Sequence, residues 1–262
     1  MAKGISLHIG VNLSQATGGI YLWPPLRTCV NSAQKMAEIA ESRHFKAEFL
    51  PNEKATRLAI IQSIKRAAST LIGGDIFFVS FSGHGTQVKD ENGDESPTLG
   101  GDGLDETWCC FDGKIIDDEL ATLWAEFRPG VRILAISDSC HSGTVTRSAR
   151  RPGRVPIGAK GLLIGACRDA ETVMADDGSG FSPFTHALVE TWQKIVATHS
   201  KADYREFYSR IHRMLQGRQT PSWYRFGTID DDFYLEPPFS IEHTIALRRT
   251  RGAPSNKIGH QD

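Results

Sequence analysis

The sequence predicts an α/β fold, a sheet covered by helices on both faces, and three observations carry that expectation. Two runs, Ile76-Phe77-Phe78-Val79-Ser80-Phe81 and Val131-Arg132-Ile133-Leu134-Ala135-Ile136, are rich in Val, Ile and Phe and lead into glycine-containing loops. Buried strands of a parallel sheet have that composition and that punctuation. Strand and helix patterns also alternate along most of the chain, which is the order of a helix-sheet-helix sandwich. Finally, the 262 residues contain no internal repeat and no interdomain linker, and they are long enough to bury a substantial core.

The elements follow in order. Ser6 to Val11 is a strand, and Arg27 to Arg43 a helix with Val30, Ala33, Ala37 and Ala40 on one face. Phe45 to Leu50 forms a shorter strand. Leu58, Ile61, Ile64, Ala68 and Leu71 make an amphipathic helix that Gly73-Gly74 ends. After the first apolar run comes a polar, acidic stretch from Lys89 to Glu106, a loop or hairpin, then a short strand at Thr107 to Phe111. Asp117 is expected to cap a helix carrying Leu120, Leu123, Trp124 and Phe127. Beyond the second run, Thr144 to Ile157 is basic and broken by Pro152, Gly153 and Pro156, hence an exposed loop. Gly161 to Ala166 is another buried strand. Ser182 and Pro183 open a helix as cap and first helical residue, with Phe184, Leu188, Trp192 and Ile195 inward. A last helix covers Tyr204 to Leu215, and the tail from Arg248 is polar, basic and expected to be disordered.

Composition narrows the function classes. With 40% hydrophobic and 23% charged residues and a formal net charge of -1, nothing calls for a nucleic acid or an anionic membrane as partner. The apolar stretches are too short for a membrane span and the amino terminus lacks a signal-peptide layout, so a cytoplasmic protein is expected. Five cysteines (29, 109, 110, 140 and 167) are odd in number and follow no framework, as reduced thiols would. Adjacent Cys109 and Cys110 lack the spacing of metal ligands.

The chemistry lies just past the two apolar runs, in Ser82-Gly83-His84-Gly85 and Asp138-Ser139-Cys140-His141-Ser142-Gly143. Open α/β sheets bind and react beyond the carboxyl ends of their strands. Two strands thus deliver a histidine and a cysteine to one edge, as a thiol nucleophile with a separate base requires. The alternative, a buried core cysteine, fits the polar, glycine-ended setting of Cys140 less well. Glycines beside His84 let a substrate backbone pass close, and the amides of Gly85 and Cys140 suit an oxyanion hole. His141 directly follows the cysteine, so its ring points to the other side of the backbone, and a structural or gating part suits it better than that of base.

At these residues the chain resembles the metacaspases, in particular their prokaryotic members, the orthocaspases. Phe81-Ser82-Gly83-His84-Gly85-Thr86-Gln87 and Asp138-Ser139-Cys140-His141-Ser142-Gly143 look like the two signatures of that family. Leu26-Arg27-Thr28-Cys29-Val30-Asn31-Ser32-Ala33 is similar to its first helix, and Asp105-Glu106-Thr107 and Ile116-Asp117-Asp118-Glu119-Leu120 to the segment between histidine and cysteine. Ala166-Cys167-Arg168-Asp169-Ala170-Glu171-Thr172, Phe184-Thr185-His186-Ala187-Leu188, Gln219-Thr220-Pro221 and Pro238-Phe239 continue the likeness, which covers about residues 4 to 240. The resemblance implies a caspase-hemoglobinase fold, a three-layer α/β/α sandwich with a mainly parallel six-stranded sheet. Residues 1–146 would be a large-subunit-like part, 147–158 an exposed basic loop, 159–240 a small-subunit-like part and 241–262 a tail. It further implies an endopeptidase cutting proteins or peptides after Arg or Lys, Arg preferred. Cys140 would attack the scissile carbonyl, His84 would move the protons, and water would hydrolyse the acyl-enzyme.

The S1 pocket of that family maps to Cys29, Ser32, Ser82 and Asp138. Ser32 stands where the family has an aspartate, so basic specificity rests on Asp138, with Asp169 or Glu171 as compensating carboxylates. A local cap on the turn is the competing reading of Asp138. Many metacaspases need calcium; Asp102, Asp117 and Asp118 are the candidate ligands here, but Arg147 occupies the post-cysteine position that should add another acid. Asp90 to Asp94 lacks the EF-hand pattern. Calcium-independent activity without a cofactor is therefore the expectation. Arg147, Arg150, Arg151 and Arg154 make the loop after the cysteine either a site of self-cleavage, or of cleavage by an activating protease, or simply a soluble basic surface. Two other functions stay open: a catalytically silent scaffold, and a relative with non-basic P1 specificity.

Overall fold

The computed structural model describes residues 1–89, 104–139, 156–166, 179–229 and 231–242. Its centre is a sheet of β1 (Gly4–Gly10), β4 (Lys46–Pro51), β5 (Ile76–Ser82), β9 (Arg132–Asp138), β10 (Lys160–Gly165) and β11 (Ser222–Gly227). The strand order is β11-β10-β9-β5-β1-β4, parallel except for the antiparallel β10–β11 pair. The six-stranded, mainly parallel sandwich implied by the resemblance is present. The five of these strands read from the sequence, β1, β4, β5, β9 and β10, lie within two residues of their expected bounds, whereas the strand expected at Thr107 to Phe111 begins three residues earlier, at Leu104. β5 and β9 are buried at every position, as strands with covered faces should be.

Alternation along the strands divides the core in two. Odd-numbered residues (Leu7, Ile9, Phe77, Val79, Phe81, Ile133, Ala135) pack with Ile60, Ile64, Leu120 and Trp124 of α2 (Arg57–Thr70) and α3 (Asp117–Ala125). Even-numbered residues (Ile76, Phe78, Leu134, Ile136) meet α1 (Cys29–Ser42), α4 (Pro183–Ala197) and α5 (Tyr204–Leu215) through Met36, Leu188, Trp192, Phe207 and Ile211. A sheet between two helical layers follows directly.

Helix ends are fixed by side chains. Thr56 caps α2 and Asp203 caps α5. Ser182 Oγ accepts from Thr185 N at 3.0 Å and Pro183 is the first residue of α4, as expected. Thr28 makes no side-chain cap for α1; instead Asn12 Oδ1 accepts from Val30 N at 3.1 Å. Asp117 is a correction: it is the first helical residue of α3 and not its cap. The side chain of Glu119 accepts from Ile116 N, and three acids in the first turn suit the positive helix end.

The acidic stretch after His84 is bounded by a hairpin, as one of the two expectations had it. β6 (Gly85–Lys89) pairs antiparallel with β7 (Leu104–Cys109), which pairs in turn with β8 (Lys114–Ile116). A small ribbon, β2 (Ala16–Thr17) with β3 (Ile20–Tyr21), sits in the loop before α1. A short helix, α6 (Asp231–Tyr234), follows β11. Among the described residues no helix is long and apolar enough to cross a membrane.

Candidate active site

The two signature motifs enter the site on neighbouring strands. In the parallel β5–β9 register Ser82 stands beside Asp138, and Gly83 N donates to Asp138 O at 3.3 Å. His84 lies two residues past Ser82, and Cys140 two past Asp138. Cys140 and His141 themselves lie outside the described residues, as do Asp102, Arg147, Arg150, Arg151, Arg154, Asp169, Glu171 and most of the tail.

The His84 side is held from two directions. Its Nε2 is 2.8 Å from Pro24 O. A carbonyl can only accept, so Nε2 carries the hydrogen and donates, which leaves Nδ1 as the ring nitrogen available to accept a proton. The loop bearing Pro24 is anchored by Asn12, whose Nδ2 donates to Arg27 O and whose carbonyl accepts from Leu26 N. It is anchored again by Trp23, whose indole donates to Cys110 O at 3.0 Å. The backbone beyond the ring is fixed by Cys109 N, which donates to His84 O at 3.0 Å.

That last bond also bears on Gly85. It makes Gly85 and Trp108 a non-hydrogen-bonded pair of the antiparallel ladder, so the Gly85 N–H is directed away from β7. An oxyanion hole needs an amide not consumed by the sheet. Trp108 ties the hairpin to the cysteine strand: it stacks on Phe81 at 4.9 Å between centroids, and its indole donates to Ser137 Oγ at 3.0 Å. Ser137 Oγ lies 3.0 Å from Ser139 Oγ, the side chain just before Cys140. The ring pair adds about 0.5–1.5 kcal/mol beyond its burial.

Of the four S1 residues expected, the structure connects three. Asp138 is buried, and its Oδ2 accepts from Ser82 Oγ at 3.3 Å, from Ser182 Oγ at 2.5 Å and from Thr185 Oγ1 at 2.7 Å. Ser32 is buried too, and its Oγ accepts from Ser182 N at 3.5 Å. Cys29 begins α1, close against the end of β1: a Cβ on Gly10 would lie 2.7 Å from Cys29 O, so only glycine admits this approach. Burial pushes the Asp138 carboxyl above the usual carboxylate range, and the hydroxyls of Ser182, Thr185 and Ser82 work against that rise. Its other oxygen, Oδ1, is buried and accepts no hydrogen bond from the described residues. The local-cap reading of Asp138 does not describe this: its side-chain partners come from β5 and from α4, far away in sequence.

Sequence reasoning missed Ser182 and Thr185 as partners of Asp138, and the Pro24 carbonyl as partner of His84. Ser182 carried a signal, but for helix capping, and it does both. Sequence reasoning also passed over Asp105, whose carboxylate lies within 4.8 Å of those of Asp117 and Asp118. The β7–β8 pairing of Thr107 with Ile116 explains the meeting, since Asp105 and Asp117 flank that pair. Three carboxylates suit a hard cation and supply part of the six to eight oxygens calcium takes. Cys29, Cys109 and Cys110 are buried and form no disulfide among the described residues, and burial pushes the Cys110 thiol far up, as for inert structural thiols.

A model of the caspase domain matches residues 11–234. The solved structure of protein GSU0716 from Geobacter sulfurreducens superposes with a TM-score of 0.77 at 36% identity, covering 92% of this chain and 99% of that one. Metacaspase-1 of Kluyveromyces lactis is 33% identical over 135 residues, 46% of this chain and 30% of its own length. Metacaspase-7 of Arabidopsis thaliana is 33% identical over 160 residues, 57% of this chain and 37% of its own. The chain thus spans about a third of these curated relatives. With the matched segment running from the end of β1 to α6 and containing both signature motifs, the chain belongs to the caspase domain family of cysteine peptidases.

Proposed function

We propose that the protein is a cysteine endopeptidase that cleaves polypeptides after basic residues, Arg ahead of Lys. Cys140 attacks the scissile carbonyl, and His84 takes the thiol proton on Nδ1 and passes it to the leaving amine. The Gly85 and Cys140 amides hold the oxyanion, and water then releases the acyl group. The observation that carries the reading is the buried Asp138 carboxyl beside the His84 strand, with one oxygen engaged and the other without a hydrogen-bond partner among the described residues. A bidentate guanidinium contact needs both oxygens, so the preference for Arg over Lys should be small.

The activity is proposed to be cytoplasmic and independent of calcium, and cleavage within residues 147–154 to activate it. If a cation contributes, Asp105, Asp117 and Asp118 would hold it and supply local charge neutralisation. The test is hydrolysis of fluorogenic peptides ending in Arg, Lys, Asn or Asp, by wild type and Cys140→Ala, with calcium and with chelator. Turnover of the Arg and Lys peptides, lost in the variant and indifferent to chelator, is expected. Turnover confined to Asn or Asp peptides would overturn the specificity, and a chelator-sensitive rate the calcium independence. No turnover from a preparation with a titratable Cys140 thiol, even after limited proteolysis, would favour the silent scaffold.

A further inference from the structure

Asp138 is a buried carboxyl group, and among the described residues no cation offsets it. What faces it is neutral: Ser82 from β5 and, from the start of α4, Ser182 and Thr185, with Ser32 of α1 bonded to the Ser182 amide. All three hydroxyls converge on one oxygen. The carboxyl is therefore fixed in rotation, with Oδ2 saturated and Oδ1 left without a partner among the described residues. Two of the three donors belong to one helical turn, so the orientation of the carboxylate is set by α4, a helix that comes after both signature motifs in the chain. We infer that Ser182 and Thr185 are positioning residues for substrate recognition, holding Asp138 ionised and turned so that Oδ1 alone meets the P1 cation. Ser32 belongs to the same arrangement. In place of a second carboxylate it offers an acceptor to the Ser182 amide, which steadies the donor that Asp138 uses. This inference rests on the basic-P1 reading above and adds the residues that create it.

Thr185 gives the cleaner test. Ser182 also caps α4, whereas the Thr185 hydroxyl is bonded to Asp138, and valine keeps its shape. Full-length wild type, Thr185→Val, Thr185→Ser and Cys140→Ala are treated with three thiol reagents: an Arg chloromethyl ketone, its uncharged citrulline analogue, and iodoacetamide, each across pH 5 to 9. Cys29 of α1, His8 of β1, His84 after β5 and His186 of α4 are titratable groups on the neighbouring elements, and they are unchanged in every variant. Losing a charge-assisted hydrogen bond should slow Arg-directed inactivation of Thr185→Val about tenfold or more. It should also move the acid limb of that reaction to higher pH, because a donor to the ionised form is gone. Rates with the citrulline reagent and iodoacetamide should not change, and Thr185→Ser should restore the wild-type profile. Thr185→Val matching wild type in rate and pH profile would overturn the inference, as would equal slowing with all three reagents. Wild type showing no preference for the Arg reagent over the citrulline one would instead overturn the underlying basic-P1 reading.

Discussion

Strand β9 begins and ends on a buried ionisable side chain, and the two ends are handled in opposite ways. At its start Arg132 forms an ion pair with Glu236, both almost fully buried, and donates to the carbonyls of Gly74, Ser240 and Ile241. At its end the Asp138 side chain is met, among the described residues, only by hydroxyls. The two side chains share a face six residues apart, about 20 Å at the rise of a strand. At that distance, with an effective dielectric constant of about 20, their attraction is under about 1 kcal/mol. Arg132 therefore does nothing for Asp138. The closed pair pins the C-terminal segment to the sheet; Asp138, without a counter-charge among the described residues, is the proposed acceptor for a basic P1 residue. Burial alone does not tell structure from function; the missing counter-charge does.

Isosteric neutralisation at each end should break this comparison in opposite directions. Glu236→Gln leaves Arg132 buried without its counter-ion and should cost about 3–5 kcal/mol, read from urea unfolding, with P1 selectivity unchanged. A loss below about 1 kcal/mol would show that the pair is not the pin described. Asp138→Asn should instead raise the thermal midpoint at neutral pH. Folding favours the protonated carboxyl, so this group's contribution is full below the ordinary carboxylate range and is lost as pH rises through the raised folded value. The gain of Asp138→Asn over wild type should accordingly shrink as the pH is lowered, and a gain independent of pH would contradict the assignment.

The same shift sharpens the functional side. Only the ionised Asp138 attracts a cation, so kcat/KM for an Arg peptide should climb with pH through the raised value and then level. In Asp138→Asn that limb should vanish. An identical acid limb in both proteins would place the controlling group elsewhere. The smallest effect is expected from Ser182→Ala, where the lost cap costs about 1 kcal/mol of stability on top of any change in recognition, measurable as a shift in urea midpoint.

The sequence made the middle of the molecule legible and its connections less so. β5 and β9 announce themselves because covered strands of a parallel sheet are apolar at nearly every position. β11 does not: it is an edge strand whose Trp223, Tyr224 and Arg225 are all half-buried, so no period of two shows. β8 has three residues and the β2–β3 ribbon two per strand, too short for any pattern. In the site, His84, Ser82 and Asp138 follow from local motifs. The hydroxyls of Ser182 and Thr185 reach Asp138 across 44 and 47 positions, and nothing in the local sequence encodes a contact made by tertiary packing. Asp105 escaped for the same reason, since its approach to Asp117 depends on the register of β7 with β8.

On the proposed function, the buried Asp138 carboxyl selects a basic P1 residue for Cys140. The most direct test is to digest a denatured protein mixture with wild type and with Asp138→Asn, and to sequence the new carboxyl termini by mass spectrometry. The account predicts wild-type cuts after Arg and Lys and a fall of these cuts in Asp138→Asn by roughly 30-fold or more, as expected when a buried charge pair worth about 2 kcal/mol or more is lost. Alkylation of Cys140 by iodoacetamide should stay at the wild-type rate. Asp138→Asn cutting after Arg and Lys as wild type does would contradict it.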